Sequence, residues 1–246
     1  VWKNKKVSVV FPTYNEKDSI RRVIEEFFAT GYVDEIIVVN NNAAEGTKEE
    51  VEKTKAIQVF ETRQGYGYAM RRGMEEATGD LIILSEPDGT FSGNDTLKLL
   101  AYSDDFEVVL GSRTTPKLIE MEANMNMFLR IGNWAAAKFI ELLFLTNILT
   151  DVGCSMKLIS KHIYNEIKDD FTVGTSHFNP ELMCLIIMKN INFIEIPVKY
   201  KEREGKSMVT GSNLVAFGLG LKMLFLILKY RLMNFFTNKY KIRYEK

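Results

Sequence analysis

Leu81-Ile82-Ile83-Leu84-Ser85-Glu86-Pro87-Asp88-Gly89-Thr90-Phe91 packs an apolar run, a sharp break and two carboxylates into one short stretch. Thr78-Gly79-Asp80 precedes it and Ser85 interrupts it. A short apolar run bounded by turn residues reads as a buried strand. Carboxylates at the carboxyl end of such a strand stand where open α/β sheets bind ligands. Glu86 and Asp88, one residue apart on a turn, suit a hard divalent cation that also holds a diphosphate. Taken alone, Glu-Pro-Asp-Gly is more often a solvated acidic turn, so the neighbouring segments carry the choice.

Upstream, Lys6 to Phe11 is a β-branched run that ends in Pro12-Thr13-Tyr14-Asn15-Glu16, a turn with a helix start. Ile20, Val23, Ile24, Phe27 and Phe28 then recur at helical spacing, and Gly31 closes the helix. Glu35 to Val39 is a second strand, stopped by Asn40-Asn41-Asn42. Glu45 to Lys55 reads as a polar helix, Ala56 to Phe60 as a third strand, and Gly65 to Ala77 as a helix. Strands alternating with helices over short links predict an α/β fold, a doubly wound, mostly parallel sheet with helices on both faces. Downstream, the spacing predicts a helix over Leu97 to Ala101 and a strand at Val108-Val109-Leu110 leading into Gly111-Ser112-Arg113. It then predicts one long apolar helix or two from Asn124 to Leu149, and a strand from Cys154 to Ile159. A helix from Pro180 to Lys189 and a strand from Phe193 to Val198 follow. No Pro/Gly/Ser-rich linker divides the chain. The expected organisation is one catalytic domain over residues 1–210 and a C-terminal extension over 211–246.

Composition narrows the function classes. The chain has 246 residues, 46% hydrophobic and 26% charged, an ordinary globular balance. Lysine plus arginine equals aspartate plus glutamate, so no global field argues for nucleic acid. Cys154 and Cys184 make no disulfide framework and fit a reducing compartment; two histidines argue against a histidine metal site. Trp2-Lys3-Asn4-Lys5-Lys6 carries no signal-peptide pattern, and no uncharged run is long enough to cross a bilayer. Leu214 to Phe236 is strongly apolar but interrupted by Lys222, Lys229 and Arg231, and a basic tail with Lys239, Lys241, Arg243 and Lys246 follows. That pattern reads as an interfacial helix drawn to anionic lipid, peripheral to the cytoplasmic side of a membrane. A core-packing or dimer-forming helix in a cytoplasmic protein is the other reading, which keeps a homo-oligomer open.

An ordered set of motifs spans roughly residues 5–210. It begins with Val9-Val10-Phe11-Pro12-Thr13-Tyr14-Asn15-Glu16 and continues with Gly65-Tyr66-Gly67-Tyr68-Ala69-Met70-Arg71-Arg72-Gly73 and Ala77-Thr78-Gly79-Asp80. Glu86 with Asp88, Gly111-Ser112-Arg113, Arg130 with Asn133, and Thr150-Asp151 leading to Lys157 come next. Ile196-Pro197-Val198, then Arg203, Gly205, Lys206 and Ser207, complete it. In this order the chain resembles the family 2 glycosyltransferases of the GT-A fold, and most closely the polyprenyl-phosphate branch that includes the dolichyl-phosphate mannose synthase-like enzymes.

The resemblance implies an inverting transfer of a sugar from a nucleotide-diphosphate sugar, UDP- or GDP-linked, to a polyprenyl phosphate. It implies that Pro12, Tyr14 and Glu16 hold the base and ribose, with Asn40 and Asn41 at the base and Gly65 and Gly67 near the phosphates. Asn40 to Asn42 depart from the family, which carries aspartates there; an amide can still donate to and accept from a base edge. Mg²⁺ or Mn²⁺ at Glu86 and Asp88 would bridge the diphosphate, with Asp88 as the primary ligand. Arg113, Arg130, Asn133, Asp151, Lys157 and Ser207 fall round the acceptor and diphosphate, arginine suiting phosphate through its planar fork. Arg203 and Ser207 lie on a loop that closes over the donor. Glu181 occupies the place of a general base, which a hydroxyl acceptor on a glycan or glycolipid would need and an ionised phosphate would not. A sugar-nucleotide binding protein without transfer activity is the reading from another class, motivated by Asn40-Asn41-Asn42 and by Pro87.

Overall fold

The structure is a computed structural model that describes residues 1–123, 125, 127–205 and 213–237. One seven-stranded sheet organises it, in the order β3-β2-β1-β4-β6-β5-β7. The strands are β1 (Val7–Thr13), β2 (Glu35–Asn40), β3 (Ile57–Phe60), β4 (Leu81–Leu84), β5 (Val108–Ser112), β6 (Lys157–Ser160) and β7 (Phe193–Pro197). β1 pairs in parallel with β2 and β4, and β2 with β3, as the alternating strand-helix pattern predicts. β6 alone runs against its neighbours, antiparallel to both β4 and β5, while β5 and β7 are parallel.

Helices cover both faces because the strands are apolar on both. α1 (Lys17–Ala29) buries Ile20, Val23, Ile24 and Phe27, the stripe read from its spacing. With α4 (Asp95–Tyr102) it covers Val7, Val9, Phe11, Ile36, Val38, Leu81 and Ile83. The alternate residues Val10, Ile37, Val39, Ile82 and Leu84 face a second core. α3 (Tyr66–Glu76), α5 (Met127–Phe144), α6 (Lys161–Ile167) and α7 (Phe178–Met188) close that side. α2 (Thr47–Glu52) is the short polar helix. α8 (Asn213–Thr237) inserts Leu226, Ile227 and Tyr230 into the same core, so the C-terminal helix is packed into the body that contains the sheet.

Several boundaries differ from expectation. α5 ends at Phe144 rather than near Leu149, where Leu145 takes a left-handed φ of 50°. β6 starts at Lys157, three residues later than the sequence pattern suggests, and runs to Ser160. α6 had no periodic apolar stripe long enough to mark it.

β1 is the switch point of the sheet. Chain order proceeds to β2 on one side and jumps to β4 on the other. β4 pairs with β1 only as far as Leu84 opposite Val10, whereas β1 continues beside β2 to Thr13. Beyond that pairing residues 11–16 and 85–90 lie at the carboxyl ends of β1 and β4, the position at which open α/β sheets form a ligand crevice.

Candidate active site

Asp88 is fully buried at this position, and Glu86 keeps 28% of its side chain exposed. Thr90 fixes one Asp88 oxygen: its amide and its hydroxyl donate to Oδ1 at 3.0 and 2.6 Å. The turn is held from below by the Ser19 hydroxyl, which donates to the Pro87 carbonyl at 2.7 Å. Gly89 follows with a φ of 82°, a conformation that side chains resist. The remaining oxygen, Asp88 Oδ2, faces Arg203 Nη1 at 3.0 Å, and Glu86 Oε2 lies 3.7 Å from the same nitrogen. Arg203 Nη2 donates to Glu16 Oε1 at 3.0 Å. Glu16 Oε2 in turn accepts from the amides of Tyr14 and Asn15 at 2.8 and 2.9 Å. The guanidinium thus joins the loop after β1 to the loop after β4. Burial, and then the Asp88 carboxylate beside it, push the Glu86 carboxyl above the ordinary range, with Arg203 pulling the other way.

A second charged cluster lies beside the first. Arg113, at the end of β5, grips Asp151 with Nε at 2.8 Å and Nη2 at 2.9 Å, and its amide donates to the same carboxylate at 3.0 Å. The Arg113 guanidinium stacks over the Tyr200 ring, 5.1 Å from its centre. Burial opposes ionisation of Asp151, but Arg113 outweighs it and the carboxyl sits below the usual range. Gly153 is hemmed by Asn133 Oδ1 and Arg113 Nη2, so a side chain there would displace both. Arg113, Asn133 and Asp151 therefore converge, and Arg130 stands one turn before Asn133 on α5. Lys157 is 1% exposed on β6 and donates to Asn179 Oδ1 at 3.1 Å. Burial depresses its ammonium to about 8. Lys157 lies behind the cluster, closed off from solvent, rather than on its surface. Ser207, with Lys206, is outside the described residues, as are Lys239, Lys241, Arg243 and Lys246.

Other expected donor contacts have local tasks. Asn41 Nδ2 donates to the carbonyls of Glu61 and Arg63, both at 2.8 Å, while its Oδ1 accepts from the Gly65 amide at 2.8 Å. Asn40 donates to Gln58 at 3.3 Å and accepts from the Ala43 amide at 2.9 Å. These amides tie the end of β2 to the segments beside it. Gly65 and Gly67 press against the backbone of residues 173–174: the carbonyls of Gly174 and Val173 occupy the places of their missing Cβ atoms. That approach leaves the α3 start packed on protein, where the motif suggested room for a phosphate. Pro12 lies within β1, opposite Val39, instead of opening the turn.

Glu181 is fully buried in α7. Its carboxylate accepts from the Thr172 amide and hydroxyl at 2.8 and 2.7 Å and from the Val173 amide at 2.9 Å. The Tyr230 hydroxyl of α8 adds a bond of 2.6 Å. None of these partners belongs to the acidic pair. The sequence reading passed over Thr90, whose signal was its place two residues after Asp88. It also passed over Tyr200 and Asn179, which no local pattern marks.

The glycosyl transferase family 2 profile matches residues 8–168. The chain belongs to glycosyl transferase family 2. It is 26% identical over 202 residues to the dolichyl-phosphate hexose transferase of Haloferax volcanii, covering 82% of this chain and 85% of that one. The dolichyl-phosphate beta-glucosyltransferase of Drosophila melanogaster is 25% identical over 245 residues, covering 89% and 74%. The low-salt glycan biosynthesis hexosyltransferase Agl6 of Haloferax volcanii is 27% identical over 206 residues, 82% of this chain but only 49% of the relative, so this chain spans about half that protein's length. These relatives bear out the resemblance to the polyprenyl-phosphate branch. Among solved structures, glucosyl-3-phosphoglycerate synthase from Mycobacterium tuberculosis, in complex with Mn²⁺, uridine diphosphate and glucosyl-3-phosphoglycerate, superposes with a TM-score of 0.69 at 15% identity, covering 93% and 80%. That likeness confirms the GT-A fold.

Proposed function

We propose that this family 2 glycosyltransferase moves a hexose from a nucleotide-diphosphate sugar to a polyprenyl phosphate at a membrane surface. The donor lies in the crevice at the β1–β4 switch point, its diphosphate against Glu86, Asp88 and Arg203. An oxygen of the acceptor phosphate attacks the anomeric carbon, the bond from that carbon to the diphosphate breaks, and the nucleoside diphosphate leaves with the electron pair. Arg113, held in orientation by Asp151, receives the acceptor phosphate together with Asn133 and Arg130.

The observation that carries the phosphate acceptor is the state of Glu181. A hydroxyl acceptor needs a base beside the reacting centre. Among the described residues, the hydrogen-bond partners of the Glu181 carboxylate are Thr172, Val173 and Tyr230. An acceptor that arrives ionised needs no such base.

Mg²⁺ or Mn²⁺ fits the acidic pair as a partner of the diphosphate. Asp88 Oδ2 is buried with no hydrogen-bond donor in good geometry among the described residues, the condition of an oxygen reserved for a cation. When bound, the ion would neutralise charge on the leaving diphosphate. No group of three or more His, Cys, Asp or Glu side chains is arranged to hold a metal among the described residues, so Glu86 and Asp88 would hold the ion with the help of diphosphate oxygens and water.

Membrane contact is proposed through α5 and α8. No helix among the described residues is long and apolar enough to cross a bilayer. Yet Phe128, Ile131, Trp134 and Leu142 on α5, and Phe217, Phe225, Phe235 and Phe236 on α8, all stand exposed. Lys222 and Lys229 are exposed among the α8 residues. Apolar side chains interleaved with lysines suit the interface of an anionic leaflet. The free thiols of Cys154 and Cys184 support the cytoplasmic side.

The test is nucleoside diphosphate release across a panel of UDP- and GDP-sugars, with Mn²⁺ or Mg²⁺, with and without a short polyprenyl phosphate. Release that rises with the lipid phosphate, and falls roughly 10²–10³-fold in Asp88→Ala, is expected. Donor binding with no turnover on any lipid phosphate overturns the proposed acceptor.

A further inference from the structure

Arg203 sits in the acidic pair as a resident cation. Its guanidinium spans Asp88 and Glu86 on one side and Glu16 on the other, with 17% of its side chain exposed. The segment that carries it is fastened on both sides. The Lys199 amide donates to Asp95 at 2.6 Å, the Lys201 amide to the Thr90 carbonyl at 2.8 Å, and the Glu204 amide to the Asp88 carbonyl at 2.9 Å. The Glu204 carboxylate also pairs with Arg22 on α1.

Several features of this arrangement leave it incomplete. Arg203 Nε is buried without an acceptor among the described residues, although guanidinium donors are normally satisfied when buried. Three carboxylates share one guanidinium, so negative charge remains in excess. Asp88 Oδ2 meets Arg203 only as a close charge. The two carboxylates also cannot enclose a cation by themselves.

We infer that Arg203 and a divalent cation compete for Glu86 and Asp88, and that a nucleoside diphosphate relieves the competition by drawing the Arg203 fork onto its own oxygens. Planar guanidinium and diphosphate match in geometry and charge. With Arg203 withdrawn, Glu86 and Asp88 turn to the metal, and the diphosphate supplies the ligands that the protein lacks. Metal and nucleotide binding are therefore positively linked, each raising the affinity for the other by the same factor. The inference rests on the donor site proposed above and adds to it an order of occupancy, with Arg203 as the positioning residue.

The experiment is Mn²⁺ titration of the full chain, free Mn²⁺ being read by electron paramagnetic resonance, with and without UDP or GDP and with no sugar donor or acceptor. Wild type is expected to bind Mn²⁺ at least about tenfold more tightly with one of the nucleotides. Arg203→Gln is expected to bind Mn²⁺ about tenfold more tightly than wild type when nucleotide is absent, and to keep only that part of the nucleotide dependence which direct ligation by the diphosphate supplies. Arg203→Lys keeps a charge but not the fork and should fall between the two. Equal wild-type affinity with and without nucleotide overturns the inference, and that comparison needs no variant. So does an Arg203→Gln protein, folded by its melting curve, whose Mn²⁺ affinity without nucleotide does not exceed that of wild type. If no protein binds Mn²⁺ under any condition and Asp88→Asn matches wild type, the metal reading of the pair falls as well.

Discussion

Lys157 is an ammonium enclosed at 1% exposure, with one hydrogen bond among the described residues, to Asn179, to replace its water. Desolvation lowers it from its ordinary 10.5 to about 8, with Asp151 and Cys154 resisting the fall. The folded protein therefore holds the proton less tightly than the unfolded chain does. The cost is full below pH 8 and is relieved as pH rises from about 8 towards 10.5. Stability should rise over that window by up to roughly 3 kcal/mol relative to Lys157→Met, whose profile lacks the titration. Urea unfolding at pH 7, 8, 9 and 10 measures it; parallel profiles for the two proteins would refute the assignment. Arg113 and Asp151 show the opposite economy, since each buried charge has its counter-charge in a bidentate pair.

At the level of elements, Glu181 fastens α8 to α7 and to the loop before α7. Tyr230→Phe removes a hydrogen bond to a carboxylate and should lower the unfolding free energy by about 2 kcal/mol. Glu181→Gln should cost more, because an amide nitrogen would face the Val173 amide. Turnover per folded molecule should stay within about threefold of wild type with a phosphate acceptor, against the 10²–10⁴-fold loss expected on removal of a general base. Denaturation curves and the diphosphate-release assay on the same preparations separate the two effects. The same packing sets which side of α8 is free. With Leu226, Ile227 and Tyr230 turned inward, Phe225 and Leu228 are left outward. A paired change of Leu142→Glu on α5 and Phe225→Glu on α8 should reduce sedimentation with phosphatidylglycerol-containing vesicles at least about tenfold. Unfolding should shift by no more than about 0.5 kcal/mol, since both side chains are exposed. Failure of the wild type to bind such vesicles would sink the interfacial role.

At the scale of the whole molecule, local chemistry and long-range convergence divide the information. The runs Val7–Phe11, Glu35–Val39 and Leu81–Leu84 were legible because strands buried on both faces read as continuous apolar runs, and the Ile20–Phe27 stripe because burial on one helix face imposes a helical period on the sequence. The acidic pair was legible because its two members share one turn after one strand. The antiparallel β6 was not, since strand direction leaves no mark on apolar pattern. Asn40 and Asn41 looked available to a base, and Glu181 to an acceptor, because a sequence lists hydrogen-bonding groups but not their partners. Those partners come from loops that meet only when the sheet assembles: Asn41 with residues 61–65, Glu181 with Tyr230, Arg203 with Glu16, 187 residues away. The α/β class, the covering helices and the place of Glu86 and Asp88 after a strand could be read along the chain, because all of them follow from short-range spacing. Which polar groups are consumed and which stay free for a ligand is settled when the fold assembles, because a side chain's hydrogen-bonding capacity is finite and distant segments compete for it.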